Sequence, residues 1–392
     1  MRILWYNWRD IKNPDAGGAE VFTHEVCKRL VKKDGIDSVT LFAASYPGCK
    51  KEEEMVDGVR IVRAGSKYGV YGKAREFYKQ NKDDFDIVID EINTKPFNTP
   101  SFVRDDDKPL IALIHQLARE FWFYETSFPV NVLGYYFLEK HWLSRYRNIP
   151  TMTVSHSTEE DLKNWGFTNV RVVPEGLSFA PLQLLPEKEV RPTVIFVGRL
   201  KKAKKPDEAL RAFKIIKDEI PDARMWIVGS GYMENELRAM ASKMFPGNGS
   251  KDAITIFGKQ PQQRKLELMS KAHVILVPGV REGWGLVVTE ANAMGTPAVA
   301  YDVPGLRDSV IDGVTGTLVE SGDYIGLGIE AIELLKDHLK RKTYTKNALQ
   351  DSKHFDWNTT TESILQFIVQ STATGNKKTV ATPSGDGKTS VA

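Results

Sequence analysis

Residues 278–297 read Pro278-Gly279-Val280-Arg281-Glu282-Gly283-Trp284-Gly285-Leu286-Val287-Val288-Thr289-Glu290-Ala291-Asn292-Ala293-Met294-Gly295-Thr296-Pro297. The stretch follows an apolar run ending at Val277, turns through a glycine-rich loop and enters a helical pattern. A strand, a loop and a helix in that order form the unit of an α/β sheet, and helix-terminal N–H groups at such a loop can face a phosphate. Glu282 belongs to the loop and Glu290 to the first turns of the helix. Their eight-residue spacing lets two carboxylates face different portions of one long ligand.

The same grammar runs through the whole chain. Short apolar runs without strict alternation lie at Ile3 to Trp8, Val39 to Ala43, Val59 to Arg63, Phe85 to Ile89, Leu110 to Ile114, Met152 to Ser155 and Val170 to Val173. Such runs suit a parallel sheet covered by helices on both faces. Phe22, Val26 and Leu30, with Val21 and Val31, give Ala19 to Lys32 an apolar helical face. Pro181, Pro186 and Pro192 then flank the charged run Glu187-Lys188-Glu189, and the pattern restarts. Strands are expected at Val194 to Val197, Met225 to Val228, Ile254 to Phe257, Val274 to Val277, Ala298 to Tyr301 and Gly316 to Val319. Helices are expected at Asp207 to Lys217, Glu234 to Ala241, Gln262 to Ser270, Val287 to Ala293 and Tyr324 to Lys336. The fold class that follows is α/β with two doubly wound domains, over residues 1–180 and 192–354, joined by a linker over 181–191. Phe355, Trp357, Leu365, Ile368 and Val369 predict a closing helix over 355–372. The Thr, Gly, Ser and Lys of 373–392 predict a disordered tail.

Composition excludes several classes. With 392 residues, 41% hydrophobic and 27% charged, the chain has material for two cores and no sign of global disorder. The 54 Lys and Arg against 51 Asp and Glu leave a charge of +3, too little to indicate nucleic acid. Cys27 and Cys49 cannot form a disulfide framework and point to a reducing compartment, with a single bridge as the alternative. Arg9 and Asp10 interrupt the opening before a long apolar segment develops, so no signal peptide is expected. Thr126 to Leu138, bounded by Glu125 and Glu139, is shorter than the ~20 residues of a spanning helix. A cytoplasmic location is the expectation, with peripheral contact at the membrane face allowed.

Two further glycine clusters follow strands. Asp15-Ala16-Gly17-Gly18-Ala19-Glu20 permits either a plain strand-to-helix turn or close approach of backbone N–H groups to an anion. Val228-Gly229-Ser230-Gly231-Tyr232 reads first as a structural turn. Neither makes a GxGxxG dinucleotide fingerprint, a GxxxxGK[ST] loop is absent, and the seven histidines lack zinc spacing. Asp105-Asp106-Asp107 has the charge for a divalent ion, but between Arg104 and Lys108-Pro109 it reads as a solvated turn.

Taken together, the 278–297 stretch resembles the two-glutamate signature of family 4 of the retaining glycosyltransferases, which adopt the GT-B fold. Val197-Gly198-Arg199-Leu200 with Lys204 resembles that family's basic pair, and Asn13-Pro14-Asp15-Ala16-Gly17-Gly18-Ala19-Glu20 its amino-terminal glycine loop. Leu113-Ile114-His115 resembles the strand end that carries its active-site histidine. The resemblance implies two Rossmann-like domains facing across a cleft. It also implies transfer, with retention, of a hexose-like sugar from a UDP- or GDP-linked donor, with no tightly bound cofactor and no required metal. It places Glu290 on the donor ribose and Glu282 beside the transferred sugar. Arg199 and Lys204 would neutralise the departing diphosphate, helped by amides near Gly17-Gly18 and Gly283-Trp284-Gly285-Leu286. His115 would orient the donor sugar without acting as a conventional general base. The chemistry agrees, because C–O cleavage puts negative charge on the diphosphate, where preorganised cations and amides stabilise it.

The chain departs from the family's pattern at Lys205-Pro206, where a small residue commonly follows the lysine, and Lys205 reads first as an outer charge, with added attraction for phosphate as the alternative. It departs again at Val303-Pro304-Gly305-Leu306, where a glycine pair is usual. On the acceptor side, Phe121, Trp122, Phe123, Tyr124, Phe128, Tyr135, Tyr136, Phe137 and Trp142 form the densest aromatic region. Packing in the core is its plain reading, and a saccharide or lipid acceptor groove the sharper one. Arg119, Glu120 and Tyr124, just beyond His115, are the acceptor-side candidates. Lys28, Arg29, Lys32 and Lys33 make a basic helix end, either a solvated face or a contact with an anionic membrane. A saccharide, a lipid-linked glycan or a small hydroxyl compound would be the acceptor. A nucleotide-sugar epimerase and a non-catalytic carbohydrate-binding protein are the rival classes, and the combination of Arg199, Lys204, Glu282 and Glu290 favours transfer.

Overall fold

The computed structural model describes residues 1–49, 51–246 and 253–376. Its first sheet comprises β1 (Arg2–Tyr6), β2 (Ser38–Ala43), β3 (Glu53–Val56), β4 (Val59–Arg63), β5 (Ile87–Ile92), β6 (Leu110–Ile114), β7 (Thr151–Thr153) and β8 (Val170–Val172), in the order β3-β4-β2-β1-β5-β6-β7-β8. The second comprises β9 (Thr193–Val197), β10 (Arg224–Val228), β11 (Ile254–Gly258), β12 (Val274–Val277), β13 (Ala298–Tyr301) and β14 (Gly316–Val319), in the order β11-β10-β9-β12-β13-β14. Strand pairing is parallel throughout except between β3 and β4.

Strand β1 shows why the first sheet is covered on both faces. Ile3 and Trp5 pack with Phe22, Val26 and Leu30 of the helix Gly18–Leu30, whereas Leu4 and Tyr6 pack with Val70, Ala74 and Tyr78 of the helix Val70–Asn81. Alternate side chains of a strand point to opposite faces, so a continuous apolar run serves two layers. The second sheet is sandwiched likewise, with the helix Pro206–Glu219 contributing Leu210, Phe213 and Ile216. In each sheet the strand order reverses beside a central strand, β1 or β9, and loops at the carboxyl ends there open onto a crevice.

Charge hid some elements from the sequence. Strand β3 pairs antiparallel with β4 through a turn at Asp57 and Gly58, both with positive φ (50° and 84°). Its Glu53 and Met55 are exposed on the sheet edge, so it carries little apolar signal. The polar helices Val70–Asn81, His156–Asn164 and His338–Asp351 were also not expected.

Two segments tie the units together. The stretch 181–191 is fastened to the second unit: Leu182 N–H donates to Ala293 O at 2.9 Å and Glu189 N–H to Lys271 O at 3.0 Å. Lys188 Nζ is buried and donates to Gly295 O, Thr296 Oγ1 and Ser270 O at 2.7, 2.8 and 2.9 Å. The chain crosses between units at Leu177, whose N–H donates to Phe355 O at 3.1 Å. Beyond that crossing the helix Trp357–Asn376 returns to the first unit, where Trp357 is buried against Phe22 with ring centroids 5.6 Å apart. The tail expected from residue 373 therefore begins as helix, and 377–392 lie outside the described residues.

Candidate active site

The loops after β9 and β12 are knitted together. Lys204 Nζ forms an ion pair with Glu282 Oε1, and Val280 N–H donates to Ala203 O at 3.0 Å. Glu282 N–H donates to Pro304 O at 3.0 Å. A β-carbon on Gly305 would stand 2.1 Å from the Glu282 carbonyl oxygen, so the departing Pro304-Gly305 turn keeps the one glycine that this approach requires. Lys205 has φ +50°, the left-handed region in which glycine is at ease, which gives the family's small residue there a physical reason. Its Nζ pairs with Glu208 at 2.5 Å and stands 4.9 Å over the Tyr124 ring, so it is not aimed at a phosphate.

Arg199 faces the first unit's glycine loop. A β-carbon on Gly17 would meet its Nη2 at 3.8 Å, and one on Gly18 would meet Leu286 Cδ1 at 3.2 Å. Gly17 N–H donates to Glu20 Oε2 at 2.6 Å, so an anion bound there must displace that carboxylate. Burial lowers the pKa of the Lys201 ammonium, and Arg199 and Arg9 lower it further against the opposing pull of Glu125 and Asp15. Among the described residues no carboxylate lies within ion-pairing distance of Arg199 or Lys201. Arg199 and Lys201 thus stand near the start of the helix Gly18–Leu30, where Glu20 holds the Gly17 N–H and pairs with Arg9 at 3.9 Å. Lys201 and Arg9 were missed in the sequence, where each reads as one more surface cation.

His115 follows β6 directly, in the interior. Its Nε2 is 3.1 Å from Glu91 Oε1 and its Nδ1 is 3.6 Å from Glu175 Oε1. Burial opposes a charge on the ring, but the Glu175 and Glu91 carboxylates outweigh it and push the pKa up to about 10. Trp5 Nε1 donates to the other Glu91 oxygen at 2.8 Å, and the Thr23 hydroxyl donates to it as well. The imidazole is thus clamped between two carboxylates that favour its protonated form, while burial also raises the pKa of Glu91. Glu91 was legible in principle as a carboxylate inside the apolar run Ile87–Ile92. Glu175, from a loop after β8, carried no such signal.

Glu290 lies on the helix Leu286–Ala293, which follows Gly285 at φ +91°. Lys265 Nζ donates to both its oxygens at 2.6 and 2.7 Å, and Gln262 Nε2 donates at 3.1 Å. The Trp284 ring turns inward, donating from Nε1 to Thr289 Oγ1 at 2.8 Å and packing on Phe355. Its side chain is accordingly core, which leaves the backbone of 283–286 for ligand contact.

The aromatic segment is not core, contrary to its plain sequence reading. Phe123, Phe128, Tyr136 and Phe137 are 43, 79, 59 and 63% exposed. The buried Glu139 carboxylate accepts from the Ala118 and Arg119 N–H groups and from Trp122 Nε1, which pins the segment by one edge and leaves its other face outward. Arg119 Nη2 donates to the Tyr135 hydroxyl at 3.0 Å, and Glu120 is paired with Arg281 at 2.7 Å. Tyr124, Glu125, Thr126, Ser127, Lys202 and Tyr232 line a groove of about 360 Å³ at the boundary between the units. A larger hollow, about 480 Å³, is lined by Ile215, Asp218, Glu219, Ile329 and Ile332 and contains none of the candidate residues.

The basic end of the first helix is largely neutralised: Lys28 and Arg29 pair with Glu25 at 2.6 and 2.5 Å, and Lys33 with Glu362 at 2.7 Å. Asp106 pairs with Lys82 at 2.6 Å in the turn before β6. Among the described residues no group of three or more His, Cys, Asp or Glu is arranged to hold a metal ion, and no helix is long and apolar enough to cross a membrane.

Comparison with known proteins agrees with this arrangement. The family model described as Glycosyltransferase Family 4 matches residues 16–179, and that described as Glycosyl transferases group 1 matches residues 183–351. D-inositol 3-phosphate glycosyltransferase of Acidothermus cellulolyticus is 35% identical over 234 residues, covering 54% of this chain and 50% of that protein. Phosphatidyl-myo-inositol mannosyltransferase of Mycobacterium leprae is 28% identical over 221 residues, covering 53% and 56%. The matched part thus spans about half the length of these curated relatives. Sucrose-phosphate synthase from Thermosynechococcus elongatus superposes with a TM-score of 0.77 at 20% identity, over 95% of this chain and 99% of that one. HepE of Anabaena, solved in complex with UDP-glucose, gives 0.72 at 15% identity, over 94% and 100%. With both units matched in order and the loops of both meeting at one crevice, the chain belongs to glycosyltransferase family 4 and has the GT-B fold.

Proposed function

We propose that the protein transfers a hexose-like sugar, with retention, from a UDP- or GDP-linked donor to a hydroxyl acceptor. The observation that carries this reading is the convergence at one crevice of a lysine–glutamate pair (Lys204, Glu282), an arginine with no ion-pair partner among the described residues (Arg199) and the buried His115 ring between Glu91 and Glu175. As the anomeric C–O bond breaks, Arg199 and Lys204 take up the charge growing on the diphosphate, and Lys204 exchanges Glu282 for a phosphate oxygen. Glu282, released, faces the sugar. Glu290 exchanges part of its Lys265 and Gln262 bonds for the ribose hydroxyls. His115 exchanges its 3.6 Å Glu175 contact at Nδ1 for a sugar hydroxyl, to which it donates, while Glu91 holds Nε2. No resident metal is required, because the cations are side chains.

The outward aromatic segment supports an acceptor with an apolar part, presented by the peripheral surface of a membrane. The names of the two curated relatives place inositol phosphate and phosphatidylinositol beside saccharides as acceptors to try. The test is a panel of nucleotide sugars with these acceptors, read by mass spectrometry. Donor consumption with a glycosylated product supports the reading. A sugar changed without an acceptor adduct would redirect it to epimerisation, and an unreacted panel with donor bound would leave a binding protein.

A further inference from the structure

Arg281, the residue before Glu282, is only 5% exposed. A guanidinium so deep needs partners, and both come from the other unit. Its Nε donates to Glu120 Oε2 at 2.7 Å, and its Nη1 donates to Asp161 Oδ2 at 2.6 Å. Glu120 opens the short helix Phe121–Glu125, five residues beyond His115, and Asp161 lies in the helix His156–Asn164. Burial opposes the charge on Arg281, and the two carboxylates more than offset it.

Neighbouring contacts share the same boundary. Ser157 N–H donates to Asp308 Oδ1 at 3.1 Å, and Gly305 N–H donates to Ser157 Oγ at 3.0 Å. Arg281 differs from them in two respects. It is a buried cation held by two carboxylates, and it is covalently next to a residue of the candidate site. A planar fork fixes direction as well as distance, so its two bonds set where the 281–283 loop stands relative to the first unit.

We propose that Arg281 is a positioning residue: through Glu120 and Asp161 it registers the loop bearing Glu282 against His115 and latches the two units closed over the site. Separation of the units breaks both bonds and returns three charges to water. A buried ion pair gains little net stability over its solvated parts, so the latch can release while still dictating the closed geometry. Glu120, an acceptor-side candidate in the sequence, becomes the latch's first partner. The effect on turnover rests on the glycosyl-transfer reading, whereas the effect on geometry does not.

The experiment measures interdomain distances by pulsed spin-label spectroscopy on surface sites of the two units. It uses wild type, Arg281→Ala, Arg281→Lys and the double variant Glu120→Gln with Asp161→Asn, each checked by thermal melting. Arg281→Ala and the double variant should shift the ligand-free distances outward. They should also lower kcat roughly 10²-fold, with a donor KM changed by less than about threefold. Arg281→Lys should restore part of both. If Arg281→Ala fails to fold, the double variant gives the same readout with the second unit untouched. Distances identical to wild type in the folded variants would overturn the latch even if kcat falls. A wild type inactive on every donor, with distances that still shift, would overturn the transfer reading and leave the latch standing.

Discussion

Gly283 lies against the backbone carbonyl of His115, so close that a β-carbon there would stand 3.0 Å from its oxygen. The residue belongs to the β12 loop and the carbonyl follows β6, so the two units meet at a point where an added methyl would push the backbones apart by a few tenths of an ångström. Gly283→Ala is expected to lower kcat by roughly 10²-fold, because it wedges Glu282 away from His115. Stability should change by no more than about 1–3 kcal/mol, since the clash can be relieved at the boundary. Steady-state kinetics beside urea unfolding checks this. Wild-type turnover in the folded variant would mean that the closed contact is not used.

On the proposed transfer reading, Arg199→Ala and Lys204→Ala should each reduce kcat by about 10²–10³-fold with native circular dichroism, because both would remove stabilisation of charge that develops during cleavage. The two differ in the free protein: Lys204→Ala leaves Glu282 without its cation, whereas Arg199 has no carboxylate to orphan among the described residues. Adding Glu282→Gln to Lys204→Ala should therefore regain stability without regaining turnover.

Glu290→Gln should weaken binding of a non-transferable donor analogue by about 1.5–3 kcal/mol, the scale of a hydrogen bond to a charged group. Calorimetry with the free nucleoside diphosphate tests the ribose assignment, and unchanged affinity would contradict it. Glu282→Gln should instead alter discrimination among sugars while leaving nucleoside diphosphate affinity nearly intact.

The raised pKa of His115 gives a stability signature of definite sign. In the unfolded chain the ring releases its proton near ~6.5, and in the native protein near about 10. The stability it contributes is full below the unfolded value and is lost as pH rises through the folded one. The difference in urea midpoint between wild type and His115→Gln should therefore shrink from pH 6 toward pH 10. The pH profile of kcat should show no limb near 6.5 from this residue. A ring that titrates near neutrality by NMR would refute the assignment.

Activity should survive thorough chelation, apart from a small effect of magnesium on the nucleotide in solution. Complete loss that is restored by a divalent ion would transfer the charge-neutralising role from Arg199 and Lys204 to a metal.

What the sequence determined by itself lies in period and local order. Buried parallel strands such as β1 announce themselves as apolar runs, and the loops after β1, β9 and β12 carry glycine, arginine and glutamate at readable positions. Local rules suffice there, because each motif is a strand end followed by a helix start. The edge strand β3 escaped because exposed charges mask it, and the aromatic segment was misplaced because apolar side chains can face either inward or outward. The partners were decided only in three dimensions. Lys265 reaches Glu290, Glu175 approaches His115, and Arg281 finds Glu120 and Asp161 from sequence separations of 25, 60, 161 and 120 residues. Such pairings depend on how sheets and units are stacked, which no local pattern encodes, and they determine whether a charged side chain is free for a ligand or already spent on a neighbour.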